Sequence, residues 1–410
     1  MSDRRVLLIA YHYPPLAGSS GVQRALRFAE NLPAFGWQPL VLTAAPRAYE
    51  HVSATHDALP PAPVYRAFAL DTARHLSLAG HYIGCLARPD RWVSWWLGAV
   101  PLGLGLIRRF RPKALWSTYP IATAHLIGHT LQRLSGLPWV ADFRDPMAQE
   151  DYPPDPATWR SYQRTEEKVF ARASRATFTT RGTLDLYRRR YGWPEDRLSL
   201  LENGFDEGAF AAAEARHRAR PPADTGRIVL LHSGIVYPEW RNPRQLFRAL
   251  RRLTDTGDAQ AGRLLVRFRA PVHEAFLQHL AREEGVQEFI DIAPELDYID
   301  ALTEMLAAQG LLLLQSAGCN DQVPAKVYEY LRAGHPILAL TDPRGDTAGV
   351  VAAHPGHFLA DLESADDIAR ALREWLAALA AGRQRVPNAA GCSRRGRTAQ
   401  LARLFDEITP

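Results

Sequence analysis

The sequence predicts an α/β chain of two doubly wound, Rossmann-like domains facing across a cleft. Three observations predict it. At 410 residues the chain exceeds one ordinary hydrophobic core. Short apolar runs alternate with helix-period segments in both halves, the signature of a parallel sheet covered on both faces. Between the two series, residues 207–226 are rich in Ala, Arg and Pro and hold no firm strand. The expected division is therefore 1–206 for the first domain, joined by a C-terminal helix at about 390–410, then a helix and linker at 207–226, and 227–389 for the second domain.

In the first half the apolar runs place strands at 6–11, 39–43, 114–118, 139–143 and 176–180. Helical patterns fall at 21–35, near 98–109, and at 121–134, 158–173 and 184–191. In the second half strands are expected at 228–232, 264–269, 289–292 and 311–314. The helices between them fall at 243–254, 274–284 and 298–309, and two more, 368–381 and 397–408, close the chain. In such sheets ligands bind beyond the carboxyl ends of the strands.

Apolar residues make up 47% and charged residues 23%, which is globular rather than disordered. The three cysteines, Cys85, Cys319 and Cys392, are odd in number, far apart and without metal spacing. They point to a reducing compartment, the cytoplasm, and to no disulfide framework. The start, MSDRRVLLIA, reads as a first strand rather than a signal peptide. The apolar stretch 93–107 is shorter than the roughly 20 residues a bilayer span needs, and Pro101 interrupts it. Trp92, Trp95 and Trp96 beside Arg88 and Arg91, with Arg108, Arg109, Arg111 and Lys113 beyond, suit the inner membrane surface. A buried helix with solvated cations at its end is the alternative. The net charge of +5 is modest, and without a recognition motif nucleic acid is not an expected partner.

The segment Asp321–Leu340, DQVPAKVYEYLRAGHPILAL, concentrates the chemistry. Pro324 suits the first helical position, Gly334 the helix end, and Pro336 the start of an apolar strand. Asp321, Lys326 and Glu329 then gather at or near a helix N-terminus. The helix dipole and Lys326 favour a phosphate there. A carboxylate one turn further in, Glu329, suits a sugar hydroxyl. At the other end of the chain, the first strand runs through His12, Tyr13, Pro14 and Pro15 into Gly18–Gly21. Gly18 and Gly21 make a turn whose N–H groups can approach a diphosphate. Arg24, on the next helical turn, adds a cation to that site or is an exposed helix charge. His125 follows Tyr119 and Pro120 on an apolar helix, either as an acceptor ligand or as a packed core residue.

With its YPP-ending first strand, Gly/Ser loop and late acidic pair, the chain resembles the nucleotide-sugar-dependent glycosyltransferases of family 4, which have two Rossmann-like domains in the GT-B arrangement. The family's late E-x7-E motif matches Asp321 to Glu329, with Asp in place of the first Glu. Glu202–Asp206, ENGFD, resembles the family's NG-x-D turn. Trp139–Pro146, WVADFRDP, resembles a subgroup that makes bacterial surface polysaccharides. The last helix resembles one that crosses back to the first domain.

The resemblance implies that Glu329 accepts hydrogen bonds from the donor's ribose and that Asp321, one methylene shorter than the usual Glu, stands near the donor sugar. It implies that Lys326 and Arg241 neutralise the leaving diphosphate and that Gly234 lets the backbone approach the donor. Ile235–Tyr237 offer no second cation where many members have one. The acceptor is expected in the first domain. There Asp142, Arg144 and Asp145 replace the histidine of many members and would orient an acceptor hydroxyl or bind its phosphate; a structural Arg–Asp pair is the alternative.

The expected activity is transfer of a sugar from a nucleotide-diphosphate sugar to a saccharide or lipid-linked acceptor. The resemblance implies retention of configuration. No cofactor and no metal are expected, because cations and N–H groups serve the leaving group and the chain has no D-x-D pair. The competing readings are an epimerase or hydrolase on the same frame and a non-catalytic nucleotide-sugar-binding protein.

Overall fold

The computed structural model describes residues 4–17, 21–53, 62–150, 152–219, 226–255, 261–383, 385–387 and 389–409. The chain divides into two compact units, Met1–Asn203 with Arg394–Pro410, and Gly204–Ser393.

The first unit holds seven strands: β1 (Arg4–Ile9), β2 (Trp37–Ala44), β3 (Val64–Ala67), β4 (Ala114–Thr118), β5 (Trp139–Arg144), β6 (Arg175–Phe178) and β7 (Leu198–Leu200). They form one parallel sheet in the order β3-β2-β1-β4-β5-β6-β7. The second unit holds β8 (Ile228–Ser233), β9 (Leu264–Arg269), β10 (Ile290–Ala293), β11 (Gly310–Gln315), β12 (Ile337–Thr341) and β13 (Phe358–Ala360). These are also parallel, in the order β10-β9-β8-β11-β12-β13. The strand order reverses beside β1 in one sheet and beside β8 in the other. Each reversal opens a crevice at the carboxyl edge, where doubly wound sheets take ligands.

The central strands are apolar runs because both faces are covered: every residue of Gly310–Gln315 is buried. The strands absent from the sequence expectation are β3, β7 and β13, three or four residues each and all at sheet edges. Runs that short carry too little periodicity to read. The helix expected at 21–35 ends at Asn31, and a 3-10 turn, Leu32–Phe35, follows with Pro33 inside it. Proline lacks the N–H that an α-helix interior needs.

The stretch expected as linker carries the helix Glu207–Ala219. It belongs to the second unit, where Phe210 and Ala213 pack with Leu302, Met305 and Leu306. The last helix, Arg394–Ile408, returns to the first unit. Leu401, Ala402 and Phe405 join Phe28 and Trp37 in one core, with the Trp37 and Phe405 rings 5.2 Å apart. Arg397 ties the same helix to Glu202 at 2.6 Å. The apolar stretch that begins near Trp92 forms the helix Trp95–Phe110, with Pro101 inside it. Trp95 is fully buried, and among the described residues no helix is long and apolar enough to cross a membrane.

Candidate active site

In the second unit the site grows from the end of β8. Gly234 follows with φ +105°, a backbone conformation that L side chains rarely adopt. A Cβ there would also come within 3.2 Å of Lys326 Nζ. The chain after β11 leads to the helix Lys326–Ala333, closed by Gly334 at φ +72°. The helix therefore starts two residues later than the proline suggested. Pro324 sits in the preceding turn, its carbonyl accepting the Val327 N–H at 3.0 Å.

That start makes Lys326 the first helical residue and aims its side chain back at β8. Nζ donates to the Ser233 carbonyl at 2.5 Å and lies 3.4 Å from His232 Nε2. His232 Nδ1 is 3.0 Å from the Leu312 carbonyl. A carbonyl only accepts, and in the tautomer that carries the proton on Nδ1 the Nε2 lone pair faces the lysine. Burial, then the Lys326 charge, hold the His232 pKa well below its ordinary value, so the ring stays neutral. Burial and the neighbouring Arg241 lower the Lys326 pKa to about 7, against a smaller opposing pull from Glu329. Arg241 donates from Nη1 to the Ile235 carbonyl at 2.9 Å and lies over the Tyr237 ring at 5.2 Å. Glu329 Oε1 accepts the Tyr298 hydroxyl at 2.8 Å. The Tyr330 hydroxyl accepts the Ser233 N–H at 2.9 Å, bracing the strand end.

Gly234, Arg241, Lys326 and Glu329 thus come together at the carboxyl edge of the second sheet. Two cations beside a positive-φ glycine at a strand switch point have the chemistry that suits a diphosphate. Asp321 is exposed in the loop ahead of the helix.

In the first unit the expected ligand groups sort differently. Arg24 and Asp142 are each other's partners. Arg24 Nε and Nη2 meet the two carboxylate oxygens at 2.9 and 2.7 Å, and Thr118 and Thr177 each donate to Asp142 at 2.8 Å. Arg24 also donates to the Leu201 and Glu202 carbonyls. The expectation for Arg24 is the donor site or a helix charge, and for Asp142 the acceptor or a structural Arg–Asp pair; here Asp142 is 0% exposed and its hydrogen bonds, those to Arg24 included, bind elements of the unit together. His125 takes the packed position, one of its two expected readings. It is fully buried, 2.8 Å from the Ser117 hydroxyl and 4.9 Å from the Phe143 ring, and burial pushes its pKa down to about 4.

Arg144 and Asp145 differ from that pair. A bulge between Asp142 and Arg144 breaks the β5 register, and Arg144 adopts φ +60°. Its Nε finds no hydrogen-bond partner among the described residues. Burial raises the Asp145 pKa against the pull of Arg144. His12, just past β1, is pushed down to about 4 by burial and then by the Arg144 charge. Asp145 also acts on Tyr119, just past β4. These four groups share the carboxyl edge of the first sheet. Gly21 opens the helix Gly21–Asn31, while Gly18 lies outside the described residues.

Comparison with known proteins bears on this geometry. Residues 20–204 match the family model described as a glycosyl transferase 4-like domain. The first unit is therefore similar to that domain. Solved structures match over nearly the whole length. The sucrose-phosphate synthase of Thermosynechococcus elongatus superposes with a TM-score of 0.63 at 14% identity, covering 99% of this chain and 95% of that one. Anabaena HepE, solved with UDP, gives 0.62 at 12% identity, covering 99% and 97%. WaaG, a glycosyltransferase involved in lipopolysaccharide biosynthesis, gives 0.59 at 14% identity, covering 99% and 95%. At such identities the likeness establishes the fold. No curated protein sequence matches the chain. The chain as a whole has the two-domain fold of these structures, and residues 20–204 are similar to the glycosyl transferase 4-like domain.

Beside the candidate site residues the structure places four side chains that the sequence reading did not single out: His232, Tyr298, Tyr330 and His12. His232 stood in view one residue before Ser233–Gly234, but a histidine inside an apolar strand reads as core. Its role depends on a lysine 94 positions away. Tyr298 and Glu329 are 31 positions apart, and no local pattern joins them.

Proposed function

We propose that the chain is a glycosyltransferase that moves a sugar from a nucleotide-diphosphate sugar to a saccharide or lipid-linked acceptor, with retention and without a metal. The observation that carries this reading is the Lys326 ammonium held against Gly234 beside Arg241, at the switch point of the second sheet. As the bond from the anomeric carbon to the diphosphate oxygen breaks, its electron pair goes to the diphosphate. Lys326, Arg241 and the N–H groups near Gly234 stabilise that charge, usually the largest catalytic contribution. The acceptor oxygen bonds to the anomeric carbon, and its proton passes to the leaving diphosphate. Glu329 accepts from the donor's ribose, and Asp321 serves the donor sugar. A uridine nucleotide is the first donor to try, since a structure of the same fold, HepE, holds UDP.

On the first unit we assign the acceptor to Arg144 and Asp145, with His12 and Tyr119 beside them. An arginine whose Nε has no partner among the described residues suits a phosphate or carboxylate on the acceptor. The three free cysteines favour a reducing cytoplasm, and surface polysaccharide or glycoconjugate synthesis is the process we assign. A thermal-shift screen of nucleotide sugars tests the donor, because a ligand of the native state raises its apparent stability. Product analysis with and without acceptor then tests the reaction. Acceptor-dependent glycoside supports transfer; free sugar or an isomerised nucleotide sugar in its place overturns it.

A further inference from the structure

Among the described residues fifteen large apolar side chains are exposed, and eight of them fall between Phe68 and Leu97. This segment leaves the edge strand β3 and returns as the helix Trp95–Phe110. It is pinned from beneath rather than loose. The Thr72 hydroxyl donates to the Leu86 carbonyl at 2.6 Å, and its N–H to the Arg91 carbonyl at 2.8 Å. Gly98 presses so closely on Phe68 that a Cβ would meet its carbonyl oxygen at 2.6 Å. Buried Asp90 accepts from both the N–H and the hydroxyl of Thr123. With Thr72 and Asp90 turned inward, the segment presents Leu78 (86% exposed), Ile83 (67%) and Leu97 (63%), with Tyr82 and Trp96 and the exposed Arg74, His75 and His81 among them.

Charge accompanies the apolar face. Residues 47–113 contain nine Arg and Lys against four Asp and Glu, an excess of five that equals the excess of the whole chain. Two of those acids, Asp71 and Asp90, are buried, and Glu50 is paired with Arg91. Arg108, Arg109, Arg111 and Lys113 stand exposed at the far end of the helix.

We infer that the segment from Phe68 to Leu97 is a docking surface for an anionic bilayer, its apolar side chains entering the interface while the neighbouring cations meet the headgroups. Cationic surroundings and Tyr and Trp at the margin match such a surface. The inference is independent of the donor chemistry. It also relocates the contact expected from the sequence: Trp95 is core, and the side chains that face outward come mainly from the turns before the helix.

The test is co-sedimentation of the full chain with vesicles of phosphatidylglycerol and phosphatidylcholine, and with phosphatidylcholine alone. The expected result is binding to the anionic vesicles that weakens with salt. Replacing Leu78→Ser together with Ile83→Ser lowers it by about tenfold or more at unchanged melting temperature. Leu97→Ser lowers it independently, and Arg108→Gln with Arg109→Gln flattens the salt dependence. Absence of binding at low salt, or wild-type binding by the apolar variants, overturns the inference. So does self-association in solution that the apolar variants abolish without any vesicle binding.

Discussion

Lys326 Nζ lies 3.4 Å from His232 Nε2, and the bond from His232 Nδ1 to the Leu312 carbonyl determines which ring nitrogen the lysine meets. A buried strand residue thereby acts on the first residue of a helix 94 positions later. Together with the Ser233 carbonyl it engages two of the three ammonium protons and leaves the third for a ligand.

His232→Phe keeps a ring of similar bulk and removes the acceptor. The expected result is a donor KM raised by about tenfold, as for one hydrogen bond to a charged group, with a smaller change in kcat. His232→Gln, which can still accept, restores part of the loss. Steady-state kinetics at fixed acceptor read the difference, and unchanged KM in His232→Phe would show that the contact is incidental.

Donor binding should depend on pH near neutrality. In the free protein Lys326 has a pKa of about 7, so it is protonated below that value and loses its proton above it. A diphosphate favours the charged form and raises the pKa in the complex. Binding above pH 7 therefore takes up a proton, and affinity falls as pH rises from 7 towards the pKa of the complex. Calorimetry in buffers of different ionisation enthalpy measures that uptake; equal heats across buffers at pH 8 would contradict it.

Arg24 and Asp142 should respond as framework rather than as ligands. Arg24→Ala or Asp142→Asn alone leaves the other member of a buried pair uncompensated, at a cost of about 3–5 kcal/mol. The double variant is destabilised by less than the sum of the two. Denaturant unfolding measures each, and the surviving folded protein should keep its donor KM.

Arg144→Gln is expected to act on the acceptor alone. An acceptor that carries phosphate or carboxylate loses about 2 kcal/mol of binding, as for one charged hydrogen-bond pair. Donor affinity by thermal shift stays unchanged. Loss of donor binding instead would move Arg144 to the donor's side.

The alternation of apolar runs made both sheets legible, because central strands such as Leu311–Leu314 are buried on both faces and cannot be anything but apolar. The edge strands β3, β7 and β13 were not legible, being too short to show a period. Glu329 and Lys326 were readable because one helical turn separates them and a glycine ends their helix. The pairing of Arg24 with Asp142 was not legible for a physical reason: a buried ion pair and a ligand-binding pair have the same composition, and only the fold shows that these two, 118 positions apart, face each other. Arg144 and Asp145 needed the bulge in β5, which no residue type announces.

The central claim is that Lys326 and Glu329 form part of a nucleotide-sugar clamp that performs transfer. Its most direct test is the transfer of labelled sugar to acceptor by the wild type, Lys326→Ala and Glu329→Ala, using the nucleotide sugar that stabilises the wild type most. The prediction is transfer by the wild type, a loss of about 100-fold or more in kcat for Lys326→Ala, and a loss expressed mainly in donor KM for Glu329→Ala. Full transfer by both variants would contradict it.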